Sequence, residues 1–232
     1  MSNFFRLSTW SLIISLILLV GCGQKEAVQQ EKKQEAVSKI PDKILNPDMA
    51  ELGQAAPERF QVKFETSKGN FIVEVNRGWS PYGADRLYYL VKNGFYDNVR
   101  FFRVIDGFMA QFGYHGEPQV TAVWSEMSFP DDPVKESNLR GYVTFAKQAI
   151  PNSRTTNLFI NLVNNKYLDA SGFSPLGKVI EGMDIVDQLY SGYGEGAPRG
   201  NGPEQARLAM EGNEYLKNNF PKLDYIKKAT IQ

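Results

Sequence analysis

At 232 residues the chain has room for one domain of ordinary to large size with extensions. Its 26 Lys and Arg balance 26 Asp and Glu, and a net charge that close to zero gives no electrostatic basis for binding nucleic acid. One Cys and one His exclude a disulfide framework and a His/Cys metal cluster, so the chemistry is expected to use no metal and no cofactor.

Residues 1–22 read as a targeting leader: a short start carrying Arg6, then an apolar run from Leu7 to Val20. The run is shorter than the roughly 20 residues that span a bilayer as a helix, which marks it as a signal peptide. Leu19-Val20-Gly21-Cys22 resembles a bacterial lipobox, in which the Cys is lipidated and becomes the first residue of the mature protein. The expectation is lipidation at Cys22 and a place in the cell envelope, lipid-anchored to a bacterial membrane on the extracytoplasmic side. Residues 23–57 are rich in Gln, Glu, Lys and Ala with no sustained apolar stripe, and read as a flexible charged tether.

The folded domain is expected over 58–232. Phe60, Val62 and Phe64 alternate with polar residues, Ser67-Lys68-Gly69-Asn70 supplies a turn, and Phe71, Val73 and Val75 alternate again, predicting a β-hairpin with one face inward. Ser80-Pro81 predicts an N-cap and first-turn proline for a helix that carries Ala84, Leu87, Tyr88 and Val91 on one face and ends at Asn93-Gly94.

Arg100 to Gly113, Arg-Phe-Phe-Arg-Val-Ile-Asp-Gly-Phe-Met-Ala-Gln-Phe-Gly, is apolar enough for buried strand, yet Arg103 and Gln111 interrupt it. A domain gains no stability from burying a lone guanidinium. Two strands broken at Asp106-Gly107 would bring Arg103, Phe108, Met109 and Gln111 to one surface: an apolar floor with two hydrogen-bonding heads.

The run Phe-x-Arg-Val-Ile-x-Gly-Phe-Met-x-Gln over Phe101–Gln111 resembles the signature of the cyclophilin peptidyl-prolyl isomerases. That resemblance implies a mainly β fold with helices: a closed antiparallel β-barrel flanked by two helices. It also implies proline-containing peptides and unfolded or partly folded extracytoplasmic proteins as partners.

Farther along, Pro118, Pro130 and Pro133 punctuate a polar loop, and the lone His115 in its Gly-flanked setting is expected at the surface without a role. Gly141–Ala146 reads as a strand, and with Asn157-Leu158-Phe159-Ile160 it resembles the second cyclophilin signature, Asn157 and Leu158 replacing the usual Gln and Phe. Asp184–Tyr190 reads as a second helix. Gly192-Tyr193-Gly194-Glu195-Gly196 follows a helix instead of linking a strand to one, which argues against a nucleotide loop and for a mobile one. A helix over about 203–218, an insertion relative to the compact family pattern, precedes a last strand over Leu223–Ile231.

Rotation about an X–Pro bond faces a barrier of about 18–20 kcal/mol because amide resonance must break, and the twisted amide gains a nitrogen lone pair that a guanidinium can bond. Arg103, never deprotonated, suits that donor role. The resemblance implies that Arg103, Phe108 and Gln111 are catalytic and that Phe108, Met109, Phe159 and Leu168 seat the proline, with Phe173 at the rim where His is common. Gln111 would hold the backbone or carbonyl near Arg103, and Ala146 and Lys147 would offer main-chain hydrogen bonds. Asn157 would reach less far than the usual Gln. Tyr167 stands where Trp is frequent, which weakens the expectation of tight cyclosporin binding, and Phe112-Gly113 in place of Gly-Gly is expected to reshape the pocket entrance. A peptide-holding chaperone or envelope scaffold on the same fold is the alternative; a lipocalin-like barrel would leave Arg103 and Gln111 unexplained. Nothing requires association, so a monomer is expected.

Overall fold

The computed structural model describes residues 40–232; the leader, Cys22 and residues 23–39 of the expected tether lie outside the described residues. The rest of that tether is not free. Helices α1 (Asp42–Leu45) and α2 (Met49–Leu52) dock on the domain. Ile44 is fully buried, and its carbonyl accepts from Trp124 Nε1–H at 2.7 Å. The Tyr89 hydroxyl donates to Lys43 O at 3.0 Å and accepts from Asp48 N–H at 2.9 Å. The compact unit therefore starts at Asp42, well ahead of the expected Glu58. Two four-residue helices held by one buried Ile offer no periodic stripe for a sequence reading to find.

The hairpin forms as expected from β1 (Arg59–Thr66) and β2 (Asn70–Asn76). Phe64 lies directly opposite Phe71, and their rings stack at 4.9 Å. Each apolar side chain so buried contributes about 1.5–3 kcal/mol, enough that a one-residue slip of the hairpin would be strongly disfavoured.

Helix α3 (Pro81–Lys92) buries Ala84, Leu87 and Val91 as its spacing predicts, with Tyr88 only half-buried. Its cap differs from the expectation. Ser80 makes no capping bond to the helix; Asp132 accepts from Tyr82 N–H (3.1 Å), Gly83 N–H (3.0 Å), the Ser80 hydroxyl and Arg154 Nη2 (3.0 Å). A carboxylate at the helix N-terminus satisfies orphan donors that a serine alone cannot.

The remaining strands are β3 (Arg103–Ile105), β4 (Met109–Phe112), β5 (Tyr142–Phe145), β6 (Leu158–Asn161), β7 (Pro175–Glu181) and β8 (Ile226–Ile231). They pair antiparallel in the order β3-β4-β6-β5-β7-β2-β1-β8. The expected closed barrel is corrected to an open, curled sheet. The chain just ahead of β3 and β8 meets in one bridge, Arg100 with Tyr225, but β3 is three residues long and the intervening Phe101 and Phe102 are buried in the core, so no ladder grows from it.

Where a proline-punctuated loop was expected, Pro118–Ser125 forms helix α4, burying Val120, Thr121 and Trp124. The signals were a first-turn proline and an i, i+4 apolar pair, masked by the density of prolines. The expected helix over Asp184–Tyr190 shrinks to the single turn α5 (Met183–Val186). Helix α6 (Gln205–Asn219) forms with a break at Gly212, whose φ of 60° suits glycine and where a Cβ would collide with the Gly116 carbonyl.

His115 is buried, not at the surface. It packs on Phe95 at 5.3 Å, and its Nδ1 accepts from Glu117 N–H at 3.0 Å. Burial lowers its pKa from 6.5 to about 4. Between those values the folded protein stays neutral while the unfolded chain takes up a proton, so stability present in full above pH 6.5 is lost as pH falls toward 4. From pH 7 to 5 the loss is roughly 2 kcal/mol. Urea unfolding of His115→Gln should lack this loss; an equal pH dependence in the variant would rule the histidine out.

Candidate active site

The Asp106-Gly107 turn folds β3 back on β4 so that Arg103 pairs with Gln111, Val104 with Ala110 and Ile105 with Met109. Gly107 sits at φ 71°, the left-handed region such a turn needs. Pairing in register places the two polar heads side by side, and Arg103 Nη1 donates to Gln111 Oε1 at 3.0 Å. The guanidinium also lies 5.6 Å from the centre of the Phe108 ring.

The apolar floor is one cluster. Met109, Phe159 and Leu168 are buried together, and Ile105, Phe108, Ala146 and Phe173 pack around them half-exposed. Phe159 is the cross-strand neighbour of Gln111, which sets the floor directly beside the polar heads. Leu168 arrives on a 3-10 helix over Lys166–Ser171. Phe173 meets Phe159 edge-to-face at 5.8 Å, filling the rim with a ring that carries no donor. Tyr167 is largely exposed and stacks against Phe108 at 6.3 Å.

The residues expected to bind the peptide chain are present with one change of role. Ala146 N–H donates to Asn157 O at 2.8 Å, so Ala146 can offer a peptide only its carbonyl. Lys147 extends over the Phe173 ring at 6.0 Å, with its Nζ 3.7 Å from Asp131. Asn157 lines a groove of about 420 Å³ running on from Gln111 and Ala146, and its buried amide oxygen has no hydrogen-bond partner among the described residues. Phe112 does not reshape the entrance, contrary to expectation. Strand alternation turns it away from Gln111 into the core, against Phe64, Tyr96 and Phe101.

One member of the site was missed. Glu195, from the glycine-rich loop, accepts from Arg103 Nε–H and Nη2–H, both at 2.7 Å. These bonds hold its carboxyl below the usual carboxylate range. The available signal was an unpaired guanidinium in an apolar strand together with a carboxylate set among glycines; neither says where the other lies.

The family model for cyclophilin-type peptidyl-prolyl cis-trans isomerases, described as "Cyclophilin type peptidyl-prolyl cis-trans isomerase/CLD", matches residues 61–206. The chain belongs to the cyclophilin family. Similar relatives include a peptidyl-prolyl cis-trans isomerase of Acinetobacter baylyi, 34% identical over 141 residues that cover 55% of this chain and 70% of the relative. Peptidyl-prolyl cis-trans isomerase B of Escherichia coli is 32% identical over 141 residues, covering 55% and 82%. Among solved structures, a Cryptosporidium parvum cyclophilin shares the fold with a TM-score of 0.56 at 21% identity, covering 75% of this chain and 98% of that one; the same protein was also solved in the presence of the dipeptide Ala-Pro. In this cyclophilin α6 falls almost wholly beyond the matched residues.

Proposed function

We propose that this cyclophilin accelerates X–Pro rotation in extracytoplasmic proteins and so assists their folding, with Arg103 as the donor to the twisted prolyl nitrogen. The observation that carries this reading is the juxtaposition of Arg103 and Gln111 with the dry floor of Met109, Phe159 and Leu168.

Nothing needs to be cleaved or oxidised; the site has only to bind the twisted amide better than either planar form. The floor and the half-buried Phe108 would anchor the proline ring. As the amide twists, its nitrogen becomes pyramidal, and a guanidinium N–H bonds the lone pair that the planar amide lacks. Gln111 keeps the donor facing the floor. A barrier lowered by about 5–7 kcal/mol would raise the rate by roughly four to five powers of ten. The groove past Ala146 would take the residues preceding proline in extended form.

The test is cis/trans exchange of a short X–Pro peptide by NMR exchange spectroscopy with the full chain and its folded Arg103→Ala variant. Fast exchange that the substitution removes supports the enzyme. Peptide binding without acceleration would make the protein a peptide-holding module.

The proposed location rests on the leader and on Cys22. Cys22→Ser should abolish acyl labelling and move the protein to the soluble fraction; unchanged labelling would end the lipid-anchor reading.

A further inference from the structure

We infer that Glu195, carried on a loop braced by α6, is a positioning residue that fixes the Arg103 guanidinium for turnover; this rests on Arg103 being the donor, as proposed above. A guanidinium has five N–H donors. Glu195 engages Nε–H and one Nη2–H, and Gln111 engages one Nη1–H. One N–H on Nη2 is therefore claimed by neither partner, and the second on Nη1 faces only the weakly accepting Met109 thioether at 3.8 Å. Two-point contact along the Nε edge sets the plane and rotation of the group while leaving donors at its far end.

The charge is well served by such a partner. The Arg103 side chain is 17% exposed, and its other close contacts, the Gln111 amide, Met109 Sδ and the Phe108 ring, carry no formal charge. A cation so far withdrawn from water is stabilised by a carboxylate set against it. Without Glu195 the guanidinium would be driven to swing toward solvent, away from the floor.

Glu195 is itself built in. Gly196 N–H donates to its Oε1 at 3.0 Å, and Gly202 N–H donates to its carbonyl at 2.8 Å. A bridge joins Gly196 to Gly202, and a side chain at Gly200 would collide with the Glu195 carbonyl. Two residues earlier, the Tyr193 ring packs edge-on against Tyr190 and Phe220. Tyr193 and Phe220 rest on a cluster in which Leu208, Tyr215 and Leu216 of α6 bury Phe102, the residue next to Arg103. The added helix thus braces both partners of the ion pair, and the loop is held, not loose as its glycines suggested.

Four full-length proteins test this by NMR exchange: the parent, Glu195→Gln, Arg103→Ala and the double variant. Glu195→Gln should lower kcat roughly ten- to a hundredfold with KM changed less than about twofold, and should cause no further loss in the Arg103→Ala background. A parental kcat in Glu195→Gln, a raised kcat, or an equal loss in both backgrounds would overturn the inference. Glu195→Ala is read the same way should the Gln variant fold poorly. A second readout separates this inference from the function it rests on. The Arg103 Nε–H proton resonance should be shifted and slow to exchange with water in the parent and should revert to a free guanidinium signal in Glu195→Gln. If the parent shows no isomerisation, the proposed function fails while this signal still decides the pairing; an unchanged signal in Glu195→Gln overturns the pairing.

Discussion

Replacing Arg103 by alanine is expected to lower kcat/KM for X–Pro exchange by two to three powers of ten while peptide affinity changes only a few-fold. Loss of one preorganised donor to charge that develops in the transition state costs about 2.7–4 kcal/mol. On the proposed mechanism the floor of Met109, Phe159 and Leu168 would meet planar and twisted forms alike, and so would support binding without lowering the barrier. Lysine should recover less than about tenfold. Its ammonium offers three donors from one nitrogen and cannot span both Glu195 oxygens while reaching Gln111. Exchange spectroscopy for rate and titration for affinity separate the two effects. A folded Arg103→Ala protein with parental kcat/KM would remove Arg103 from the mechanism.

The second large effect is on stability. Asp132→Ala is expected to cost about 3–5 kcal/mol, because it strips one carboxylate from four donors at once. Two are N–H groups in the first turn of α3, one is the Ser80 hydroxyl and one is the guanidinium of Arg154. The Arg154 side chain is 2% exposed, and the acid left near it, Asp131, stands 3.4 Å from Nε and also faces Lys147. Loss of Asp132 would draw Asp131 toward Arg154 and loosen Lys147 at the pocket rim, so a milder rise in KM should accompany the instability. Urea unfolding with an unchanged m-value would measure the first; a loss below about 1 kcal/mol would show that the staple is dispensable.

What the chain reveals of itself follows the range of each interaction. The β1–β2 hairpin, α3 and the Arg103/Gln111 pair were legible because alternation, a turn dipeptide and a first-turn proline act within a few residues. The resemblance of Phe101–Gln111 to a family signature supplied the floor, including Phe159 and Leu168, which no local pattern could have joined to Met109. His115 was misjudged because glycine neighbours suggest a loop whether or not that loop is covered. The resemblance implies a closed barrel, and no local pattern says whether a three-residue edge strand can extend its ladder. Glu195 escaped because charge pairing across the fold has no period, and a carboxylate among glycines reads as solvated until something buried is found to need it. Glycines 196, 200 and 202 looked like looseness, yet they are what lets the backbone close tightly around Glu195.

The two oxygen-bearing partners of the Arg103 guanidinium lie at very different distances along the chain, 8 residues to Gln111 and 92 to Glu195. Closing the longer loop carries an entropy cost greater by about 2 kcal/mol. The β3–β4 hairpin can therefore bring Arg103, Gln111 and Met109 together early and locally, whereas Phe159, Leu168 and the alignment of Arg103 by Glu195 wait on later segments of the chain. Fraying of the segment that carries Glu195 would leave a protein that still grips proline but turns it more slowly, so holding and full catalysis would be successive states of assembly of a single polypeptide.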